Sequence, residues 1–283
     1  MKHSTEELQQ IATQVRRDIL RMTTNAKSGH PGGSMGTADW FVAMEWNIMD
    51  IDPQRFTMSG EGEDMLFVSQ GHITPVIYST MARRGYFPVE ELATFRKFGT
   101  RLQGHPSTAH GLPGIRMASG SLGQGLSVGI GAALGKKMTG DEHLVYTMHG
   151  DGELEEGQIW EAAMFAGAKK VDNLIATIDY NNQQIDATVD EVMSLGNLQA
   201  KFESFMWKVV VVNNGNDMQQ VLDGMAKAKA LSGQGAPVCV ILTTQMGYGV
   251  DFMQDTNKYH GSVLSDDDLP RALAQLSETL DDF

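Results

Sequence analysis

Two short segments of this chain combine residue types and spacing that could do chemistry. His149-Gly150-Asp151-Gly152-Glu153 closes the apolar run 144–148, and Asn181-Asn182 closes a second run, 173–179. Each run reads as a strand, so a carboxylate and an amide reach the same edge of a sheet from neighbouring strand ends. Magnesium prefers oxygen ligands in near-octahedral geometry and keeps one or more waters. Asp151 offers a charged oxygen, Asn181 a neutral amide oxygen, and the main-chain carbonyl of Gln183 a third. Two phosphate oxygens and a water would complete the shell. Gly152 lets the backbone approach a diphosphate, and a helix from about Glu155 would aim its amide end there. A bare Gly-Asp-Gly is otherwise a turn. The strand before each segment and the continuation Glu153-Leu154-Glu155-Glu156-Gly157 favour the metal and diphosphate reading.

Imidazoles are the second chemical resource. Four of the eight histidines lie beside glycine in segments that read as loops: His30, His72, His105 and His260. Glycine beside histidine leaves room for a ligand, and imidazole moves protons near neutral pH. His3, His110 and His143 look solvated, and His149 reads as packing at its strand end. The net charge of −13 argues against nucleic acid or an anionic membrane as the main partner. An acidic protein that binds a phosphate ester needs a local device for the anion, and the opening motif is one. Other phosphate motifs fail. Gly129-Ile130-Gly131 lies inside a helix with no strand before it, and Gly131 to Lys136 is too short for a nucleoside-triphosphate loop, with Lys137 where Ser or Thr is required.

The elements that must position these residues follow from periodicity. A capping box from Ser4 to Glu7 starts a helix, a glycine-rich loop spans 28–34, and an amphipathic helix covers 37–47. A strand is expected over 64–69, a helix over 73–84, loops over 98–124 and a small-residue helix over 124–138. Then strands at 144–149, 173–179, 207–213 and 237–243 alternate with helices at 155–169, near 196–205 and at 217–230. Apolar strands alternating with helices predict an α/β fold, a parallel sheet flanked by helices on both faces, with ligands beyond the carboxyl ends of the strands. A helix over 266–280 would end the domain, and Asp281-Asp282 reads as solvated. The one cysteine, Cys239, lies in an apolar run and reads as a reduced core thiol. There is neither a run of 18 apolar residues nor a signal-peptide core, so no membrane partner is expected and a cytoplasmic location fits.

The chain resembles the N-terminal, diphosphate-binding half of transketolases. The resemblance rests on Ser28-Gly29-His30-Pro31-Gly32, Ser69-Gln70-Gly71-His72, Gln103-Gly104-His105-Pro106, Gly120-Ser121-Leu122-Gly123-Gln124-Gly125, residues 150–157 and 179–186, and His260-Gly261, in the family's order. It implies the thiamine-diphosphate-binding fold, with thiamine diphosphate and Mg²⁺, or another divalent cation such as Ca²⁺ or Mn²⁺, as cofactors. Asp151, Asn181 and the Gln183 carbonyl match the metal ligands. His72, Gly152, Asn181 and His260 match contacts on the diphosphate side. Gly120, Ser121 and Leu122 match the stretch that receives the aminopyrimidine, and Ile185 an apolar wall beside the thiazolium. Glu156 matches a glutamate at the interface between the two cofactor-binding domains. His30, His105 and His260 match histidines around the reacting sugar carbons. The chain departs from the family's usual pattern at Gly33-Ser34, at Ser121 in place of proline, and at Gln183 in place of an aliphatic residue. The loop departures bear on sugar preference more than on the cofactor.

The resemblance also implies what lies elsewhere. A full transketolase continues into a pyrimidine-binding domain, which carries the glutamate that activates the aminopyrimidine, and a C-terminal domain. Residues 1–283 read as one diphosphate-binding domain with an N-terminal helical segment and a C-terminal helix. The expected activity is reversible transfer of a two-carbon ketol unit between sugar phosphates, shared with a separate C-terminal subunit in a dimer of heterodimers. Three alternatives remain: half of a deoxyxylulose-phosphate synthase or 2-oxo-acid dehydrogenase, a transketolase for an unusual sugar, and a non-catalytic subunit of the same fold.

Overall fold

The computed structural model describes residues 3–283. The chain runs through α1 (Thr5–Ala26), α2 (Pro31–Gly36), α3 (Ala38–Ala43), β1 (Met65–Val68), α4 (Thr74–Arg84), α5 (Gly125–Thr139), β2 (Val145–Gly150) and α6 (Gly157–Ala168). It continues through β3 (Leu174–Tyr180), α7 (Val189–Met193), α8 (Leu198–Ser204), β4 (Lys208–Val212), α9 (Met218–Leu231), β5 (Val238–Thr243) and α10 (Leu269–Leu273). The five strands form one sheet in the order β1-β2-β3-β5-β4, every pair parallel. This is the expected α/β architecture.

Apolar side chains leave both faces of the sheet, because both faces are covered. Tyr146, Met148, Ile175, Val240 and Leu242 join one core with α1, α3, α4 and α9. Val145, Leu174, Ala176, Cys239 and Ile241 join a second core with α5, α6 and α8. Cys239 is buried, and burial pushes its thiol up, as expected of an inert core thiol. Among the described residues, no helix is long and apolar enough to cross a membrane.

The largest departure from periodicity is the glycine-rich stretch after α1. Its composition predicts a loop, yet Pro31 starts a buried turn-and-a-half of helix, α2. Its glycines serve close packing. A Cβ on Gly32 would lie 2.7 Å from the Tyr259 carbonyl oxygen, and one on Gly36 would lie 2.9 Å from that of Gln245. The loops that follow β5 therefore lie directly on α2, which brings His260 to His30. The helix expected over 37–47 divides into α3 and a five-residue π-helical continuation, Met44–Ile48.

Two corrections concern helix ends. The helix expected from Glu155 is preceded by a 3₁₀ turn, Gly152–Glu155, and α6 itself starts at Gly157. The expected C-terminal helix over 266–280 is only the five residues of α10. The rest of the tail is held by α1 through Asp282, contrary to the expectation of a solvated carboxylate. Arg17 donates to Asp282 from Nε at 3.0 Å and Nη2 at 2.7 Å, and Gln14 donates at 2.8 Å. Arg17 Nη1 also donates to the carbonyls of Leu273 and Leu276.

The hydrogen bond from Arg17 holds the Asp282 carboxyl down to about 2 from an ordinary 3.8. Its contribution is present above about pH 4 and is lost as pH falls through about 2. Asp282→Ala should cost about 1–2 kcal/mol at neutral pH and lower Tm by roughly 2–6 °C. In thermal melts across pH, that difference should shrink toward pH 2. A difference that grew on acidification would contradict this account of the tail.

Candidate active site at the strand ends

Parallel pairing of β2 with β3 sets Gly150 against Asp179, so the two strands end level. Asp151 follows directly, and its amide donates to the Asp179 carbonyl at 3.1 Å. One oxygen of the Asp151 carboxylate accepts from the Gly152 amide at 2.8 Å. The other accepts from the amides of Asn181 at 2.9 Å and Asn182 at 2.5 Å. Asn182 takes a left-handed conformation with φ 55°, which asparagine tolerates better than most residues. The Asn181 side-chain oxygen accepts from the Gln183 amide at 2.9 Å, and its nitrogen donates to Asp179 at 3.0 Å. Thr244, just after β5, donates its hydroxyl to the other oxygen of Asp179.

Glu153 fastens the remaining loops. Its buried carboxylate accepts from the Ser69 hydroxyl after β1, from the Gly123 amide at 2.7 Å and from the Gly150 amide at 3.1 Å. Burial pushes this carboxyl up, but the adjacent His149, Ser69 and Gly123 outweigh it and hold the group below its ordinary value. His149 is buried with its ring 3.6 Å from Glu153, so it packs at the strand end as expected.

A cavity of about 220 Å³ opens above these ends. Of the residues singled out in the sequence, His30, His72, Gly120, Leu122, Asp151, Gly152, Asn181, Gln183, Ile185 and His260 line it. Ser121 and Glu156 are both exposed and outside the cavity wall, and His105 lies at its margin with its ring centroid 6.3 Å from that of His30. The wall also includes Gln70, Asp179 and Gln184, which lie in the quoted motifs without an assigned role, and Met246, which lies in none. Gln70 and Asp179 carry a usable signal, since each sits at a strand end. Met246 carries none, because its place depends on how the loop after β5 folds onto α2. A second cavity, walled chiefly by Phe41, Leu66, Ile77 and Met81, measures about 40 Å³ and is too small for a diphosphate.

The four glycine-flanked histidines converge. The ring centroid of His30 is 5.0 Å from His72, 5.9 Å from His260 and 6.3 Å from His105, and His72 is 5.1 Å from His260. Nδ1 of both His30 and His260 is buried without a protein partner. Burial pushes all four imidazoles down, His30 to about 4 with further effects from His260, Arg96 and His105. The cluster is therefore neutral at neutral pH.

The donor set fits a hard cation. Burial, then the charge of Asp179, pushes Asp151 up to about 7 against its three amide bonds, and burial pushes Asp179 up to about 6. Among the described residues, neither carboxylate has a cationic partner in an ion pair. No group of three or more His, Cys, Asp and Glu side chains is placed to hold a metal among those residues. A cation here would use one carboxylate, one amide oxygen, a main-chain carbonyl and the ligand's own oxygens, which suits Mg²⁺ better than a thiolate- or imidazole-seeking metal.

Residues 8–279 match the model of the family "Transketolase, thiamine diphosphate binding domain". The chain belongs to the transketolase family. The subunit SqwG of a 6-deoxy-6-sulfo-D-fructose transketolase from Clostridium sp. (strain MSTE9) is 36% identical over 278 residues, 98% of this chain and 99% of that one. One subunit of the apulose-4-phosphate transketolase from Phocaeicola vulgatus is 33% identical, covering 99% of this chain and 97% of that one. The solved transketolase of Leishmania mexicana superposes with a TM-score of 0.88 at 27% identity, over 100% of this chain but only 43% of that one. This transketolase chain therefore spans nearly the full length of the two subunits and less than half of the longer enzyme.

Because the folded state lowers the His30 pKa, the unfolded chain binds its proton first. Stability should fall as pH drops below the ordinary 6.5, with the penalty complete below about 4. In a series of melts over that interval, His30→Asn should reduce the acid loss without abolishing it, because His72, His105 and His260 shift in the same direction. An acid loss identical to that of the unaltered chain would refute the assignment.

Proposed function

We propose that this chain is the N-terminal subunit of a two-chain transketolase, transferring a two-carbon ketol unit from a ketose phosphate to an aldose phosphate. The observation that carries the proposal is one cavity that holds both the oxygen donors at the β2 and β3 ends and the cluster of neutral imidazoles. Asp151, Asn181 and the Gln183 carbonyl hold the cation, and His72 and Gly152 face the diphosphate. Gly120, Ser121 and Leu122 receive the aminopyrimidine, with Ile185 beside the thiazolium. Thiamine diphosphate, when bound, supplies the electron sink that the two-carbon fragment requires. The chain's own part is to orient the sugar and move its protons. His30 and His260, both in the cavity wall, meet the substrate hydroxyls, with His105 at the open side.

The partner reading has support in the surface of α5 and α6. Gly131, Gly135 and Gly157 have open space where a Cβ would sit, and Val128, Met138, Met164 and Phe165 are exposed on the same two helices. Inside α5, glycine at 131 and 135 costs about 1 kcal/mol each relative to alanine, and no neighbour in this chain takes the space a Cβ would fill. A second chain packed closely on these helices would. Glu156, at the start of α6, would then reach that interface, in a dimer of heterodimers.

A second reading concerns the sugar. The two relatives matched from end to end are named for sulfofructose and apulose 4-phosphate, so an unusual ketose is a candidate donor. Xylulose 5-phosphate, sulfofructose and apulose 4-phosphate should be assayed in parallel with the chain and its partner.

Alone with thiamine diphosphate and Mg²⁺, the chain should show no ketol transfer, and robust activity would refute the two-chain reading. In the assembled enzyme, His30→Ala should lower kcat roughly 100-fold or more with cofactor affinity nearly intact. Asp151→Ala should instead abolish Mg²⁺-dependent cofactor binding, measured by calorimetry. Normal binding by that variant would remove the metal assignment.

A further inference from the structure

Arg96 has an unusual position beside the histidine cluster. It is a non-glycine residue in the left-handed region, φ 57°, a conformation that costs roughly 1 kcal/mol. Its backbone amide donates to the Leu102 carbonyl at 3.0 Å, closing the loop between them. Its side chain turns inward. Nη1 donates to the Ser28 hydroxyl at 2.8 Å and Nη2 to the Gly104 carbonyl at 3.3 Å. Ser28 lies two residues before His30, and Gly104 immediately before His105. The guanidinium carbon stands 5.5 Å from the centroid of the Phe95 ring, and Nε is buried without a partner. No carboxylate pairs with this guanidinium among the described residues. The fit is tight, since a Cβ on Gly104 would come within 2.6 Å of the guanidinium carbon.

We propose that Arg96 is a positioning residue of this site, whose guanidinium ties the loop leading to His30 to the loop leading to His105 and sets the spacing of those two imidazoles. Ser28 and Gly104 lie far apart in the chain and on no common strand, so a side chain that bonds both is a direct means of holding their loops in register. An ammonium would have to bring its single nitrogen within reach of both acceptors at once, whereas the planar fork of arginine reaches them from two separate nitrogens. The uncompensated positive charge also acts on the imidazoles. It contributes to the low proton affinity of His30, after burial and His260, and of His105, after burial. The groups that face Arg96 are Tyr78, His30 and His105. Tyr78 is itself pushed well up by burial and so stays neutral. The catalytic consequence rests on the transketolase reading, while the spacing and charge effects do not.

The test uses Arg96→Gly, which relieves the left-handed conformation while removing the guanidinium, and Arg96→Lys, which keeps the charge but not the fork. Imidazole titrations by NMR on the full chain do not depend on activity. In Arg96→Gly the midpoints of His30 and His105 should rise, and those of His72 and His260 should move less. Arg96→Lys should keep all four near their original values. In the assembled enzyme, Arg96→Gly should lower kcat roughly 10- to 100-fold, with the half-saturating thiamine diphosphate concentration within about two-fold, and Arg96→Lys should fall between. Unchanged midpoints at His30 and His105 in folded Arg96→Gly, or equal movement of all four, would overturn the proposal. If the midpoints move as expected and no ketol transfer is found in the unaltered enzyme, the functional reading fails and the role of Arg96 stands.

Discussion

The register between β2 and β3 is the constraint on which the site depends. Pairing Gly150 with Asp179 ends the two strands level, so that Asp151 and Asn181 emerge side by side. The Asp151 carboxylate then collects amides from both strand ends. A slip of one residue would turn the β3 side chains to the opposite face and withdraw Asn181 from the edge. The two apolar cores prevent that slip, because Leu174, Ala176 and Ile178 fill one core while Ile175 fills the other.

Around this edge the protein places buried charge and buried imidazole that folding alone does not favour. Asp151 and Asp179 are both buried, and the charge of Asp179 adds to the cost of ionising Asp151. Three imidazoles share one wall, two of them with an unpartnered nitrogen, and His105 stands at its margin. Unsatisfied buried polar groups are costly, and His30, Gln70 and His260 each contribute one in the wall of this cavity. Glu153 shows the opposite solution. Its carboxylate is satisfied by two loops and the end of β2 at once, so it fixes the rim without taking part in the proposed chemistry.

Much of this architecture is legible in the chain. The strands stand out because a sheet covered on both faces demands continuous apolar runs, and the Asp151 and Asn181 segments because they close two of them. The segments that depart from expectation share a physical cause. Pro31 to Gly36 has the composition of a loop because its glycines weaken an isolated helix, whereas packing against Tyr259 and Gln245 makes a helix there stable. Asp282 has the character of a solvated residue because a terminal carboxylate normally is one, but Arg17 on α1 captures it.

The sequence by itself determined the alternation of strands and helices, the chemical types at each strand end and the family to which they belong. These follow from local patterns: apolar periodicity, glycine beside a reactive side chain, and the order of short motifs. Tertiary structure alone decided which loops meet. It brought His105 to the margin of the cavity, left Ser121 and Glu156 outside its wall, and placed Met246 and Arg96 at the site. It also set the proton affinities of the histidines, because burial depends on neighbours that are distant in the chain. Local sequence gives each loop its residues, but close packing between distant segments sets the distances at which those residues act.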